Sequence, residues 1–382
     1  MLTATDTPRQ SEQVRPYKVL VCDDQADVLE ALRLLLKGQG WQAVAVDSPV
    51  ALLQALRDDV FDLILVDLNY TRDTTSGQEG IDLLSALEER GISTPVMVMT
   101  AWSSFDLAVE AMRRGACDFI QKPWENDRLV AAIRKQAESE RARKSELEIA
   151  ANVQQKLFPR NSRLLRTLDY AGHCVAAREV GGDYYDFLEI ADHTMGFVLA
   201  DVSGKGIPAA LLMANLQASF RNQAPGALLR PAEVLETVNR HFYESTAAER
   251  FATLFFGIYD DRTRRLRYVN CAHVPPLLVR ASGAVEVLEG TAVMLGAFPR
   301  WKCTERTVHL APGDTLLLCS DGVTEAGIEQ GEEFGAERLI GLLRGSRGQP
   351  AGALVQQVVD AVARHSGASR GDDVTVVVLR AL

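Results

Sequence analysis

Apolar and polar positions follow two different rhythms along this chain, separated by a long charged stretch. In the first 136 residues, short apolar runs are each followed by a pattern of helical period. KVLVC leads into VLEALRLLLKGQG, WQAVAV into PVALLQALRDD, and FDLILVD into IDLLSALEERG. TPVMVMT then leads into FDLAVEAMRRG, and CDFIQ into DRLVAAIRKQ. Apolar strands alternating with amphipathic helices predict a doubly wound (βα)5 parallel sheet, an α/β fold. From Ala132 to Leu157 there is neither Gly nor Pro, and Ala, Glu, Lys, Arg and Gln dominate. That stretch predicts one long linker helix, ended by Pro159. Beyond it the pattern turns to strands: FATLFFGIYD and RRLRYVNCAH predict a hairpin turning near Asp261.

The expected organisation is a disordered tail over residues 1–15, a first domain over 16–136, a helical linker over 137–160 and a second domain over 161–382. At 382 residues, two domains are the natural division. A hydrophobic fraction of 47% and a charged fraction of 24% suit a globular chain, and no apolar run is long enough to span a bilayer. Six cysteines lie scattered without C-x-x-C pairs, which suits a reduced, cytoplasmic setting. The net charge of −10 argues against nucleic acid as a partner.

Chemistry concentrates at strand ends. In the first domain Asp23, Asp24, Asp67, Thr100 and Lys122 all stand at carboxyl ends of predicted strands, where open α/β sheets place their working groups. Three carboxylates suit one Mg2+. Asp67 is the candidate nucleophile toward a phosphoryl group, Lys122 its charge partner and Thr100 a hydrogen-bond donor. These residues resemble the receiver domain of two-component response regulators. That resemblance implies phosphotransfer from a sensor histidine kinase or phosphotransfer protein onto Asp67, and it makes Phe119 a switch position beside Thr100. The segment between Asp67 and Ile81 is longer than usual; it either hovers over the acidic pocket or is a plain surface insertion.

The second domain carries acids at four predicted strand ends: Asp183 after Gly181-Gly182, Asp201 after MGFVLA, Asp321 in LLLCSDGVTEA, and the Asp372-Asp373 pair before VTVVVL. Gathered in one cleft, these carboxylates would repel each other strongly unless cations sat among them. Two Mn2+ or Mg2+ ions would cancel that charge and make a water reactive toward a phosphate ester. The segments EIAANVQQKLFP, EVGGDYYDF, DVSGKGIPAAL, NCAHVPPLLV, LLLCSDGVTEA and GDDVTVVVL resemble, in this order, the SpoIIE/RsbU branch of the metal-dependent PPM-type Ser/Thr protein phosphatases.

The resemblance implies an α-β-β-α sandwich, two antiparallel sheets flanked by helices. It implies Asp183, Asp201, Asp321, Asp372 and the carbonyl of Val202 as metal ligands, with Asp373 supporting. The implied substrate is a phosphorylated anti-sigma-factor antagonist. His273 reads as structural, and Ala272 stands where relatives carry Gly. For the linker, Ile149, Val153 and Leu157 at four-residue spacing suggest either a homodimeric coiled coil or a solvated single helix. The alternative to an enzyme is a catalytically silent scaffold that binds the antagonist.

Overall fold

The computed structural model describes residues 15–68, 78–101, 105–159, 163–246, 249–367 and 371–382. Residues 1–14 of the expected 1–15 tail and most of the long segment after Asp67 lie outside the described residues. The chain divides into two compact units, 1–146 and 147–382.

The first unit is built as the alternation predicts. Strands β1 (Lys18–Cys22), β2 (Gln42–Val46), β3 (Leu63–Asp67), β4 (Val96–Ala101) and β5 (Asp118–Lys122) alternate with helices α1 (Ala26–Gly38), α2 (Pro49–Asp58), α3 (Gln78–Glu89) and α4 (Phe105–Arg113). The strands form a parallel sheet in the order β2-β1-β3-β4-β5. β3 is buried along its whole length, so both of its faces demand apolar residues; LILV supplies them and leaves Asp67 at the carboxyl end.

Helix α5 (Asn126–Gln155) begins in the first unit and ends in the second. Its 30 residues contain no helix breaker, and its interior is mostly charged. Leu129 and Ile133 are fully buried in the core of the first unit. Just past its other end, Leu157 and Phe158 pack against the core of the second.

The second unit has two antiparallel sheets. β6 (Leu168–Val175), β7 (Tyr184–Ala191) and β8 (Thr194–Val202) are followed by α6 (Ile207–Arg221), α7 (Pro225–Leu228) and α8 (Pro231–Ser245). Then come β9 (Ala252–Asp260), β10 (Arg265–Cys271), β11 (Leu277–Val279), β12 (Val285–Val287), β13 (Arg306–His309) and β14 (Thr315–Cys319). A short helix α9 (Asp321–Thr324), then α10 (Gly335–Gly345) and α11 (Ala351–Ser366), precede the last strand β15 (Val374–Ala381). One sheet runs β13-β10-β9-β8-β7 and the other β12-β11-β14-β15-β6.

Between the sheets Tyr170, Phe187, Phe197, Phe255, Leu316 and Val377 form an aromatic-rich core. α6 and α8 cover the first sheet through Met213, Leu216, Phe220 and Val238, and α10 and α11 cover the second through Leu339, Leu354 and Val358. The result is four layers, α-β-β-α. Hairpin pairing matters for the chemistry. β7 pairs with β8 so that Tyr184 faces Ala200, and β14 pairs with β15 so that Cys319 faces Val376. Antiparallel pairing therefore brings the entrance of one strand beside the exit of its neighbour. Asp183 immediately precedes β7, at its entry end, and Asp201 lies one residue short of the end of β8. Asp321 follows β14, and Asp372 and Asp373 precede β15.

Candidate active sites

In the first unit the expected constellation closes at the carboxyl end of the sheet. Carboxylate oxygens of Asp23, Asp24 and Asp67 all lie within 4.8 Å of one another. Asp23 and Asp67 are buried, and Thr100 is 3% exposed. Lys122 reaches across, with Nζ 2.6 Å from Asp23 Oδ2 and 2.9 Å from Asp67 Oδ2. Burial pulls the Lys122 pKa down, but hydrogen bonds and charge from Asp23 and Asp67 outweigh it and raise the pKa above the ordinary lysine value. Gln25 N–H donates to Asp23 Oδ1 at 2.9 Å, fixing that carboxylate. Phe119 is 40% exposed on β5, and its strand neighbour is Val98, two residues before Thr100. Three oxygen donors at this spacing fit one hard divalent cation, with Lys122 left as a fixed positive charge.

In the second unit the scattered acids converge. Asp183 is 2% exposed; burial, then the charges of Asp201 and Asp373, push its pKa well above the usual carboxylate range. The pKa of Asp201 is pushed up to about 7 by burial, then by Asp321, Asp372 and Asp373. Burial and Asp372 raise that of Asp321 as well. The hydroxyl of Thr375 donates to Asp183 Oδ2. A Cβ on Gly182 would come within 2.7 Å of the Val202 carbonyl oxygen, so only glycine lets these two segments approach. Carboxylates that raise one another's pKa, near a carbonyl oxygen, are oxygen donors of the kind hard cations take, although among the described residues only Asp23, Asp24 and Asp67 bring three ligand atoms within 4.8 Å of one another.

Asp373 does something different. Its Oδ1 accepts from Ala177 N–H at 2.8 Å, and its Oδ2 accepts from Gly182 N–H at 2.7 Å and Asp183 N–H at 3.3 Å. These contacts hold the 177–183 segment that presents Asp183. Gly322 packs just as closely on the same turn, since a Cβ there would meet the Asp373 carbonyl oxygen at 2.1 Å.

Two contributors carried no role in the sequence reading. Lys205, in the loop between two positive-φ glycines, Gly204 and Gly206, ion-pairs with Asp372 at 2.9 Å and donates to the Gly371 carbonyl. Its position directly after the Asp201 loop was the available signal. Gln154, near the end of α5, reaches the backbone of Gly181. Nothing in its helical spacing announced that contact. His273 is buried with Nδ1 2.8 Å from Thr253 Oγ1, and Thr253 is the strand partner of Asp201. Burial depresses the His273 pKa to about 4. Ala272 adopts φ 53°, a left-handed conformation that a glycine would reach at lower cost.

Comparison with known proteins agrees with this division. The response regulator receiver domain family matches residues 19–134, and the Stage II sporulation protein E (SpoIIE) family matches residues 191–382. The phosphoserine phosphatase RsbU of Bacillus subtilis strain 168 is 32% identical over 240 residues, 62% of this chain and 70% of RsbU. The phosphoserine phosphatase RsbP of the same strain is 28% identical over 186 residues, 48% of this chain and 46% of RsbP. Among solved structures, the SiaA-PP2C domain of Pseudomonas aeruginosa superposes with a TM-score of 0.55 at 23% identity, covering 63% of this chain and 98% of that domain.

Proposed function

Because the chain belongs to the SpoIIE family of protein serine/threonine phosphatases and carries a response regulator receiver domain ahead of it, we propose that it is a response regulator whose output is metal-dependent dephosphorylation of a phosphoserine or phosphothreonine protein. What supports this reading is that the strand and turn ends bring acids into one another's field: burial and neighbouring carboxylates raise the pKa values of Asp183, Asp201 and Asp321, and Asp372 is among the charges acting on Asp201 and Asp321.

Asp183, Asp201, Asp321, Asp372 and the Val202 carbonyl would hold two Mn2+ or Mg2+ ions. Bound there, the ions supply the charge that keeps the carboxylates ionised together and the acidity that makes water a nucleophile at neutral pH. The remaining work belongs to the chain. Asp373 and Thr375 orient Asp183, Gly182 admits the Val202 carbonyl, and Lys205 holds a positive charge at the rim where a phosphate dianion arrives. No cysteine thiolate is called upon: burial raises the thiol pKa of Cys174 and Cys319 beside the site, which keeps them protonated.

In the receiver, Asp67 accepts the phosphoryl group from a sensor histidine kinase or phosphotransfer protein, with Mg2+ on Asp23, Asp24 and Asp67. Lys122 and Thr100 steady the phosphoryl oxygens, and Phe119 responds. The substrate class we favour is a phosphorylated anti-sigma-factor antagonist in the cytoplasm, as resemblance to the RsbU branch implies. Among the described residues no helix is long and apolar enough to cross a membrane. Ile149 and Val153, a turn apart on α5 and 62% and 57% exposed, supply a seam for a second copy of the chain.

The test is hydrolysis of a phosphoserine protein by the purified full chain with and without Mn2+. Metal-dependent turnover that Asp183→Ala or Asp321→Ala abolishes is expected. Binding of the phosphoprotein without turnover would replace the enzyme with a silent scaffold.

A further inference from the structure

Gln154 stands on the last turn of α5 and is 8% exposed. Both ends of its amide bond one glycine: Nε2 donates to the Gly181 carbonyl at 2.7 Å, and Oε1 accepts from Gly181 N–H at 3.1 Å. Gly181 lies just before β7 and has no strand partner in the sheet, so a side chain of the linker helix completes its backbone hydrogen bonding. On its other side Gly181 is closed by Asp373, whose Oδ2 would lie 2.2 Å from a Cβ built there. The next two N–H groups, of Gly182 and Asp183, also donate to that Oδ2. The loop that presents Asp183 is therefore gripped from two directions, by Asp373 just ahead of β15 and by Gln154 from α5.

We propose that Gln154 is a positioning residue through which the linker helix sets the geometry of the metal site. This deepens the functional reading above and rests on it. The scale of the effect follows from helix geometry. A side chain reaches roughly 5–6 Å from the helix axis, so turning α5 by about 20° displaces the Gln154 amide by about 2 Å. Hydrogen bonds of 2.7 and 3.1 Å do not survive that displacement. Gly181 would then lose two partners at once, and Asp183, two residues on, would lose its fixed approach. The same helix carries Leu129 and Ile133 in the receiver core. A change in the receiver that turns α5 thus has a defined point of arrival at the second site.

The experiment uses the full chain with Gln154→Met, which keeps side-chain length and burial but removes both hydrogen bonds. Gln154→Glu is its companion: it retains the acceptor but sets a carboxylate oxygen against the Gly181 carbonyl. Mn2+ binding is read from the electron paramagnetic resonance signal of the free ion, in an Asp23→Asn/Asp24→Asn background that silences the receiver site. Loss of a group that orients a metal ligand lowers affinity about 10- to 100-fold, and a loss in that range is expected for both variants. With the receiver intact, treatment with acetyl phosphate should change the wild-type rate and leave the Gln154→Met rate unchanged. Wild-type Mn2+ affinity in a folded Gln154→Met protein, or a variant that loses only thermal stability, would overturn the proposal. So would a Gln154→Met enzyme that still responds to acetyl phosphate as the wild type does. If the wild type itself shows no metal-dependent turnover, the functional reading fails, while the Mn2+ comparison still decides the role of Gln154.

Discussion

Single residues in the second unit divide into those that carry charge and those that hold the carriers in place. His273 belongs to the second kind, and its protonation has a definite sign. Its pKa falls from about 6.5 in an unfolded chain to about 4 when buried. Folding therefore favours the neutral ring. The contribution is fully present above about pH 6.5 and is lost as pH falls from there toward 4. That depression corresponds to about 3 kcal/mol. Gln in its place retains a group able to bond the Thr253 hydroxyl and cannot charge. Chemical denaturation of the metal-free protein from pH 7.5 to 4.5 should therefore show a shallower loss of stability in His273→Gln than in wild type. Equal slopes would mean the ring is not buried neutral.

Asp201 titrates with the opposite sign. Its folded pKa, about 7, lies above the unfolded value, so the metal-free fold loses stability as pH rises through the interval between them. Divalent ions should remove that loss. Thermal melts at pH 5 and pH 8, each with chelator and with Mn2+, are expected to show the larger Mn2+ gain at pH 8.

At the scale of elements, the four-layer sandwich owes its site to tight turns at one end. Gly322 opens α9 where a Cβ would run into the backbone carbonyl of Asp373, at 2.1 Å. Neither partner is a flexible side-chain tip, so Gly322→Ala must push the β14–α9 turn away from the β15 entry. Overpacking of this kind costs roughly 1–3 kcal/mol. Lower thermal stability together with weaker Mn2+ binding is the expected pair of results, and an unchanged Mn2+ affinity would detach this turn from the site.

The same elements explain what the sequence could and could not reveal. β3, β8, β14 and β15 were legible because burial on both faces forces continuous apolar runs, and the acids interrupting those runs stood out. That Asp183 stands at the entry of β7 and not at the exit of a strand was not legible, because the apolar alternation around it does not mark where pairing begins. β11 and β12 are three residues each, too short for periodicity to register. The contacts of Gln154 and Asp373 bridge 27 and more than 190 positions, and only the fold brings such distant residues together.

At the scale of the whole molecule, two sites with related chemistry share one chain and one helix. The receiver holds its acids within 4.8 Å of one another, with Lys122 bonded to two of them. Phosphorylating Asp67 adds charge where Lys122 now spans Asp23 and Asp67, so Lys122 must redistribute its contacts between carboxylates and phosphoryl oxygens. Phe119, on the strand next to Thr100, is 40% exposed. The consequence for output follows from α5, which roots in the receiver core through Leu129 and Ile133 and ends beside the metal-site loop. Asp67→Asn removes the phosphoryl acceptor while keeping the shape of the side chain. Phosphatase rate measured with and without acetyl phosphate should differ in the wild type and coincide in Asp67→Asn, whose fold and Mn2+ requirement should be unchanged. The same comparison reads the sign, a faster rate for activation and a slower one for inhibition. A wild-type rate indifferent to acetyl phosphate, under conditions where mass spectrometry shows Asp67 phosphorylated, would leave two working domains on one chain with no traffic between them.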